Sequence, residues 1–202
     1  MPDQPNDSSE SLERSSGNRG LSRRSTGLAR RLRALQPRVE ALRKSDDTEV
    51  VFPDKELEQA VREELDKPRG ALTRGDLKRL SELRATNARI EDITGLEYAV
   101  NLMSLILYGN QISDLTPLSS LQRLEGLHLG SNQIIDISPL ALMSRVSEIV
   151  LDNNQISDVS PLLHVPNLHI ATIVDNPLSK ESIEVHIPHL NSLERIPGGV
   201  RL

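Results

Sequence analysis

Asn101-Leu-Met-Ser-Leu-Ile-Leu-Tyr-Gly-Asn110-Gln-Ile-Ser-Asp-Leu-Thr-Pro-Leu118 decides the fold, because the chain says it again every 22 residues. Asn101 to Gln122, Arg123 to Ser144 and Arg145 to Pro166 align without a gap. One apolar column is Leu80, Leu102, Leu124, Val146 and Leu168. The next is Leu83, Leu105, Leu127, Ile149 and Ala171, followed by Ala85, Leu107, Leu129, Leu151 and Ile173. A polar column interrupts them: Asn110, Asn132, Asn154 and Asn176. Apolar columns then resume at Ile90, Ile112, Ile134, Ile156 and Leu178, and at Leu96, Leu118, Leu140 and Leu162.

The unit L-x-x-L-x-L-x-x-N-x-I-x-x-L-x-P-L resembles the leucine-rich-repeat pattern. In x-L-x-L-x the leucines alternate, so a short strand points them inward and its other residues outward. Stacked coils place those strands side by side as a parallel sheet. The Asn sits where the chain leaves the strand, and a buried Asn there can bond backbone groups of adjacent coils that otherwise lack partners. The four asparagines therefore read as a structural ladder. The first coil has Ala88 at that position and Asn87 one residue early, an atypical terminal repeat. On the return side Thr94, Thr116, Ser138 and Ser160 read as hydroxyl caps. Pro117, Pro139 and Pro161 follow at the first helical position, with Gly95 in the first coil. One or two turns of 3₁₀ or α helix are expected there, packing Leu118, Leu121 and their equivalents inward.

A solenoid needs capped ends. Residues 50–79 read as a helical N-terminal cap. Asp54 is placed as an N-cap, Leu57, Ala60, Val61 and Leu65 form one apolar face, and Thr73-x-x-Asp76 is a capping-box arrangement. Residues 80–178 are the repeats, and residues 179–202 a C-terminal cap. There Ser179 would start a helix through Val185, with Ile183, Ile187 and Leu190 covering the last coil. Gly198-Gly199 would turn the chain into a final edge strand at Val200-Arg201-Leu202. The expected fold is thus an α/β solenoid: a short repeat array with about five parallel concave strands between two caps.

Residues 1–49 differ in kind. They carry ten Lys/Arg and eight Asp/Glu, a net of +2, whereas residues 50–202 carry fourteen and twenty-one, a net of −7. Residues 1–27 hold few side chains able to bury and are expected to be disordered. Leu28, Leu32, Leu35, Val39 and Leu42 then fall at helical spacing, an amphipathic stripe over 27–44 that Pro37 interrupts. This stripe reads as a marginal helix, as a helix binding a partner or itself, or as a contact for nucleic acid or anionic membrane through residues 19–44. The last reading underlies an alternative function, a tethering or adaptor protein whose Arg-rich arm holds it in place while the repeats recruit a partner. The Arg- and Ser-rich stretch also resembles an organelle transit peptide, against which the acidic start argues.

Asn101 to Leu118, together with Asn153-Asn-Gln-Ile-Ser-Asp-Val-Ser-Pro-Leu162, resembles the bacterial internalin-like leucine-rich repeats. The stretch from Phe52-Pro-Asp-Lys-Glu-Leu to Thr94-Gly-Leu-Glu-Tyr-Ala is similar to the cap of many bacterial repeat proteins, and Asp175-Asn-Pro-Leu-Ser to Ile187-Pro-His-Leu is similar to the end of such arrays. The resemblance covers about residues 52–202. It implies a curved, noncatalytic scaffold for protein partners, and a eukaryotic phosphatase-regulatory protein shares the repeat length. Surface-exposed members carry export signals. Met1 to Glu13 is acidic and polar, so a cytoplasmic location is expected, or a cell-surface or secreted one if the true start lies elsewhere.

The outward strand positions define the candidate binding face. They form the columns Glu82, Ser104, Gly126, Glu148, Ile170, then Arg84, Ile106, His128, Val150, Thr172, then Thr86, Tyr108, Gly130, Asp152, Val174. From these, Arg84, Ile106, Tyr108, His128, Glu148, Val150, Asp152, Ile170 and Val174 are the candidate partner contacts. Solvent-facing strand positions need no apolar residue, so Ile106, Tyr108, Val150, Ile170 and Val174 point to contact, although β-branched residues also simply suit strands. The face is small and gently curved, and no small-molecule substrate is expected.

Other chemistry finds little footing. There is no cysteine, which excludes disulfides and thiolate ligands. The only aromatics are Phe52, Tyr98 and Tyr108, too few for base-stacking modules. No Ser/His/Asp signature or phosphate-cradling loop is visible, so no catalytic residues and no cofactor are assigned. His186-x-x-His189 has Pro188 between its members and no third ligand close in sequence, and no metal is assigned. Asp92, Asp114, Asp136 and Asp158 form a column that reads as carboxylates bonding their own turns, with Ca²⁺ as the alternative.

Overall fold

The computed structural model describes residues 45–193 and 199–201. The expected disordered segment, the 27–44 stripe and Gly198 lie outside them. Within residues 45–202, six parallel strands form one sheet in the order of the sequence. They are β1 (Glu82–Arg84), β2 (Ser104–Ile106), β3 (Gly126–His128), β4 (Glu148–Val150), β5 (Ile170–Thr172) and β6 (Val200–Arg201). Leu83 pairs with Leu105, Leu105 with Leu127, Leu127 with Ile149 and Ile149 with Ala171, so the register is the repeat itself. Each of β1–β5 buries its middle residue and exposes its neighbours in whole or part.

The core is a stack of aliphatic layers. Leu105, Leu107, Ile112, Leu118, Leu121 and Leu124 are inaccessible to solvent, and the same positions are filled in the next coils. At roughly 0.8 kcal/mol per buried CH₂, such columns supply the driving force without aromatics. The convex side consists of 3₁₀ turns at Leu96–Tyr98, Thr116–Ser120, Ser138–Leu142 and Ser160–His164.

The hydroxyl column does not cap these turns; no side chain bonds their first N–H groups from the Ser or Thr position. The Asp column does the work instead. The Oδ1 atoms of Asp92, Asp114, Asp136 and Asp158 each accept the N–H two residues on, at 2.8 Å. The Ser138 and Ser160 hydroxyls then donate to the second oxygen of their Asp. The same bond forms in the first coil, where Gly95 stands in place of proline, so the Asp makes this Asx turn whether or not a proline follows.

The asparagine column is a continuous ladder. Asn132 Oδ1 accepts from Ile112 N–H at 3.0 Å, and its Nδ2 donates to Leu107 O and Leu129 O at 3.0 and 2.9 Å. Asn154 repeats the pattern one coil on, and Asn176 closes it from a partly exposed position. At the start, Asn110 Oδ1 accepts from both Ala88 and Ile90. Asn87 is not a displaced ladder residue. It begins a column of left-handed turn residues, Asn87, Gly109, Ser131, Asn153 and Asp175, with φ between 54 and 73°. Asn, Asp and Gly are the types best able to hold that conformation.

The N-terminal end is closed by α1 (Lys55–Glu64), α2 (Arg74–Leu77) and an antiparallel bridge between Glu49 and Thr73. Asp54 caps α1 through Leu57 N–H at 2.9 Å, while its other oxygen accepts from Glu91 and Asp92 of the first coil. One carboxylate thus joins cap to array. Gly95 stands where later coils have Pro because its φ is +106° and a Cβ would meet the Phe52 ring at 2.7 Å.

At the other end a π turn spans Ser182–His186 and α3 spans Ile187–Ser192. The helical path therefore continues past Val185, and Pro188 stands second in α3, directly after the π turn. Ile187 and Leu190 are buried, but Ile183 is 49% exposed. The wider π turn rotates the apolar stripe, and Ser182, fully buried, faces the array instead. Its hydroxyl donates to Ser157 O at 2.8 Å and accepts from Val159 N–H at 3.2 Å.

Candidate functional site

The candidate face is the outward side of β1–β6. Six strands at about 4.8 Å spacing make a surface roughly 24 Å across. Every strand runs the same way in the same register, so the three columns lie as straight lanes across the sheet.

Tyr108 and Ile170 are each 46% exposed, and Ile106, Val150 and Val174 are half-buried. The Tyr108 ring leans across to the chain just after β3, where a Cβ on Gly130 would lie 3.1 Å from it. Gly130 is therefore covered, and the ring is an exposed apolar feature beside the central strands. His128 Nε2 lies 3.4 Å from Glu148 Oε1 at the centre of the face.

Asp152 differs from its neighbours. Its Oδ2 accepts from the Thr172 hydroxyl at 2.9 Å and its Oδ1 from Val174 N–H at 2.8 Å. Asp152, two residues past β4, is thus tied through one oxygen to β5 and through the other to the chain just after it, which makes it a structural link rather than a free carboxylate. Arg84 is exposed at the first strand and lines a groove of about 500 Å³ between β1 and α1, with Lys55, Glu56, Gln59 and Glu63 opposite.

Arg201 was missed as a face residue. β6 pairs Arg201 with Thr172, which sets this exposed side chain in the lane of Arg84, Ile106, His128 and Val150. The signal in the sequence was the Gly-Gly turn before Val200, but β6 has no repeat motif to fix its register.

No group of three His, Cys, Asp or Glu side chains among the described residues is arranged to hold a metal ion. The Asp column is engaged with its own turns. His186 sits 3.5 Å from Asp158 Oδ1 and 4.0 Å from Glu181 Oε1, a polar join between the last coil and the cap. Ser160 N–H bonding holds the Asp158 carboxyl below its ordinary range, against burial, with the Ser160 hydroxyl and His186 adding to the effect.

Comparison with known proteins agrees with this architecture. The family model for leucine-rich repeats in two copies matches residues 100–142. No curated protein sequence matches the chain significantly. Among solved structures, an internalin (inlF) of Listeria monocytogenes is 29% identical, with a TM-score of 0.60 over 63% of this chain and 45% of that one. The functional domain of InlJ from Listeria monocytogenes is 28% identical, with a TM-score of 0.55 over 63% of this chain and 28% of that one. This chain therefore spans less than half the length of either. The InlJ domain includes a cysteine ladder; the present chain has no cysteine, and its ladder is built of asparagine. Leucine-rich-repeat proteins in general bind protein partners. Residues 100–142 thus match the leucine-rich-repeat model, and the array as a whole is similar to the repeat arrays of these internalins.

Proposed function

We propose that the chain is a noncatalytic protein-recognition module and that its concave sheet face holds the partner. The observation that carries this reading is the cluster of Ile106, Tyr108, Val150, Ile170 and Val174 at outward strand positions, where folding does not require apolar side chains. Tyr108 and Ile170 stand 46% exposed, and buried aromatics are frequent energetic centres of interfaces. The ladder and the layered core fix the backbone beneath them. A preformed surface loses little conformational freedom on binding, so contact energy is not offset by ordering. The area lies at the low end for a stable protein interface, which favours a compact or extended partner segment over a large globular face.

The test is affinity capture with the full chain, followed by mass spectrometry, alongside the double variant Tyr108→Ala/Val150→Asp. The expected result is loss of specific partners from a variant that melts as a folded protein. Retention of all partners by the folded variant overturns the assignment to this face.

A further inference from the structure

Gly126 is a glycine at an outward strand position that no internal contact explains. Its φ is not positive, and an added Cβ would meet no atom within 4 Å. Gly130, two residues past the same strand, contrasts with it: the Tyr108 ring occupies the space a side chain there would need. Glycine inside a strand weakens it, and commonly marks a place where another molecule approaches the backbone closely. Gly126 opens a notch in β3 between Ser104 of β2 and Glu148 of β4.

The charges around the notch select its occupant. The outward positions of β2–β4 and the residues that follow them in the same lanes are Ser104, Ile106, Tyr108, Gly126, His128, Gly130, Glu148, Val150 and Asp152. They include two carboxylates and no Lys or Arg. The Asp152 oxygens are already bonded to Thr172 and Val174. Glu148 is therefore the carboxylate beside the notch that can accept a new donor; among the described residues its ion-pair partner is His128 at 3.4 Å. The cations of the face, Arg84 and Arg201, lie on the outermost strands. Residues 50–202 carry a net charge of −7, which attracts a basic approach from a distance.

Resting on the concave-face reading, we infer that the notch at Gly126 receives a lysine or arginine side chain of the protein partner. Its head group pairs with Glu148, and its methylene stem lies along Ile106 and Tyr108. A long cationic side chain suits such a place because its stem is apolar and its tip charged.

Random peptides displayed on phage, selected on the immobilised full chain, supply the probes. Each is measured by fluorescence anisotropy on Tyr108→Ala/Val150→Asp, Gly126→Val and Glu148→Gln. Peptides that lose binding on the double variant report the concave face. These are expected to be enriched in Lys or Arg and to weaken at least tenfold on both Gly126→Val and Glu148→Gln. Glu148→Gln removes only the charge, so it tests the notch independently of how well the valine is accommodated. Face-dependent peptides without that enrichment, or unaffected by the two single variants, overturn the notch while leaving the face intact. If no selected peptide depends on Tyr108 and Val150, the reading of the face fails, and the notch fails with it.

Discussion

Replacing Asn132 by Ala removes the central rung of the ladder, and its cost can be worked from individual atoms. The Ile112 N–H loses its acceptor, Asn132 Oδ1 at 3.0 Å, in a buried position. An orphaned buried donor costs about 1–3 kcal/mol. Leu107 O and Leu129 O lose one donor each, but Asn110 and Asn154 still donate to them at 2.9 and 3.0 Å. Those two losses come to about 0.5–1.5 kcal/mol apiece. The sum is about 2–6 kcal/mol, a large share of the roughly 5–15 kcal/mol that holds a domain folded. Asn176 makes a similar set of bonds at the end of the ladder, but it is only partly buried. Water can replace it there, so Asn176→Ala is expected to cost about 1–2 kcal/mol. Asn132→Asp keeps the acceptor but sets a charge against two carbonyls, and should cost at least as much as Ala. Urea denaturation followed by circular dichroism measures all three. A cost below about 1 kcal/mol for Asn132→Ala, or equal costs at 132 and 176, refutes the view that buried backbone satisfaction holds the coils together.

Three further outcomes follow from the same geometry. Asp54→Ala should cost about 2–3 kcal/mol by removing both an N-cap and a tie to the first coil, with faster amide exchange at Leu57 and Glu91. Gly95→Ala forces a Cβ to within 2.7 Å of the Phe52 ring at a φ of +106° and should destabilise, whereas Gly126→Ala, with nothing in reach, should leave stability equal or higher in thermal melts. Asp76 and Asp158 are both held below the ordinary carboxylate range. Burial pushes Asp76 up, but the Lys67 hydrogen bond and the Thr73 capping-box bonds together outweigh it. A depressed carboxylate stabilises the fold above its unfolded-state pKa and loses that contribution as pH falls through the folded value. The Asp76→Asn and Asp158→Asn variants should therefore differ most from the wild type near neutral pH and converge with it in acid.

The fold was legible because one physical constraint repeats. A column of Leu or Ile at one phase of the period must be buried in every coil or in none, so each copy corroborates the others. Features outside the period were harder to place. The left-handed column mixes Asn, Gly, Ser and Asp, types shared with any polar loop, so the sequence marks Asn87 only as one residue early in an atypical coil. The caps of the 3₁₀ turns were assigned to Ser and Thr, although the Asp two residues earlier makes the bonds. Both residue types are good caps, and only geometry separates them. Ile183 was misplaced because a π turn breaks the helical period on which the stripe depends. On the candidate face the lanes themselves were readable, since alternation fixes which residues point outward. What the outward residues do was not: Asp152 bonds its neighbours, Tyr108 covers Gly130, and Arg201 joins the middle lane through a strand that lacks the motif.

The most direct test of the central claim compares the two sides of the solenoid against one captured partner. Leu142, 64% exposed on a convex 3₁₀ turn, is the control position. Calorimetric titration of the partner into the wild type, Leu142→Asp and Tyr108→Ala/Val150→Asp gives three affinities for three folded proteins. If the concave face is the interface, Leu142→Asp binds within about twofold of the wild type. The double variant then loses at least about 3 kcal/mol, or more than a hundredfold. Undiminished binding by the double variant, or loss of binding on Leu142→Asp alone, contradicts the account.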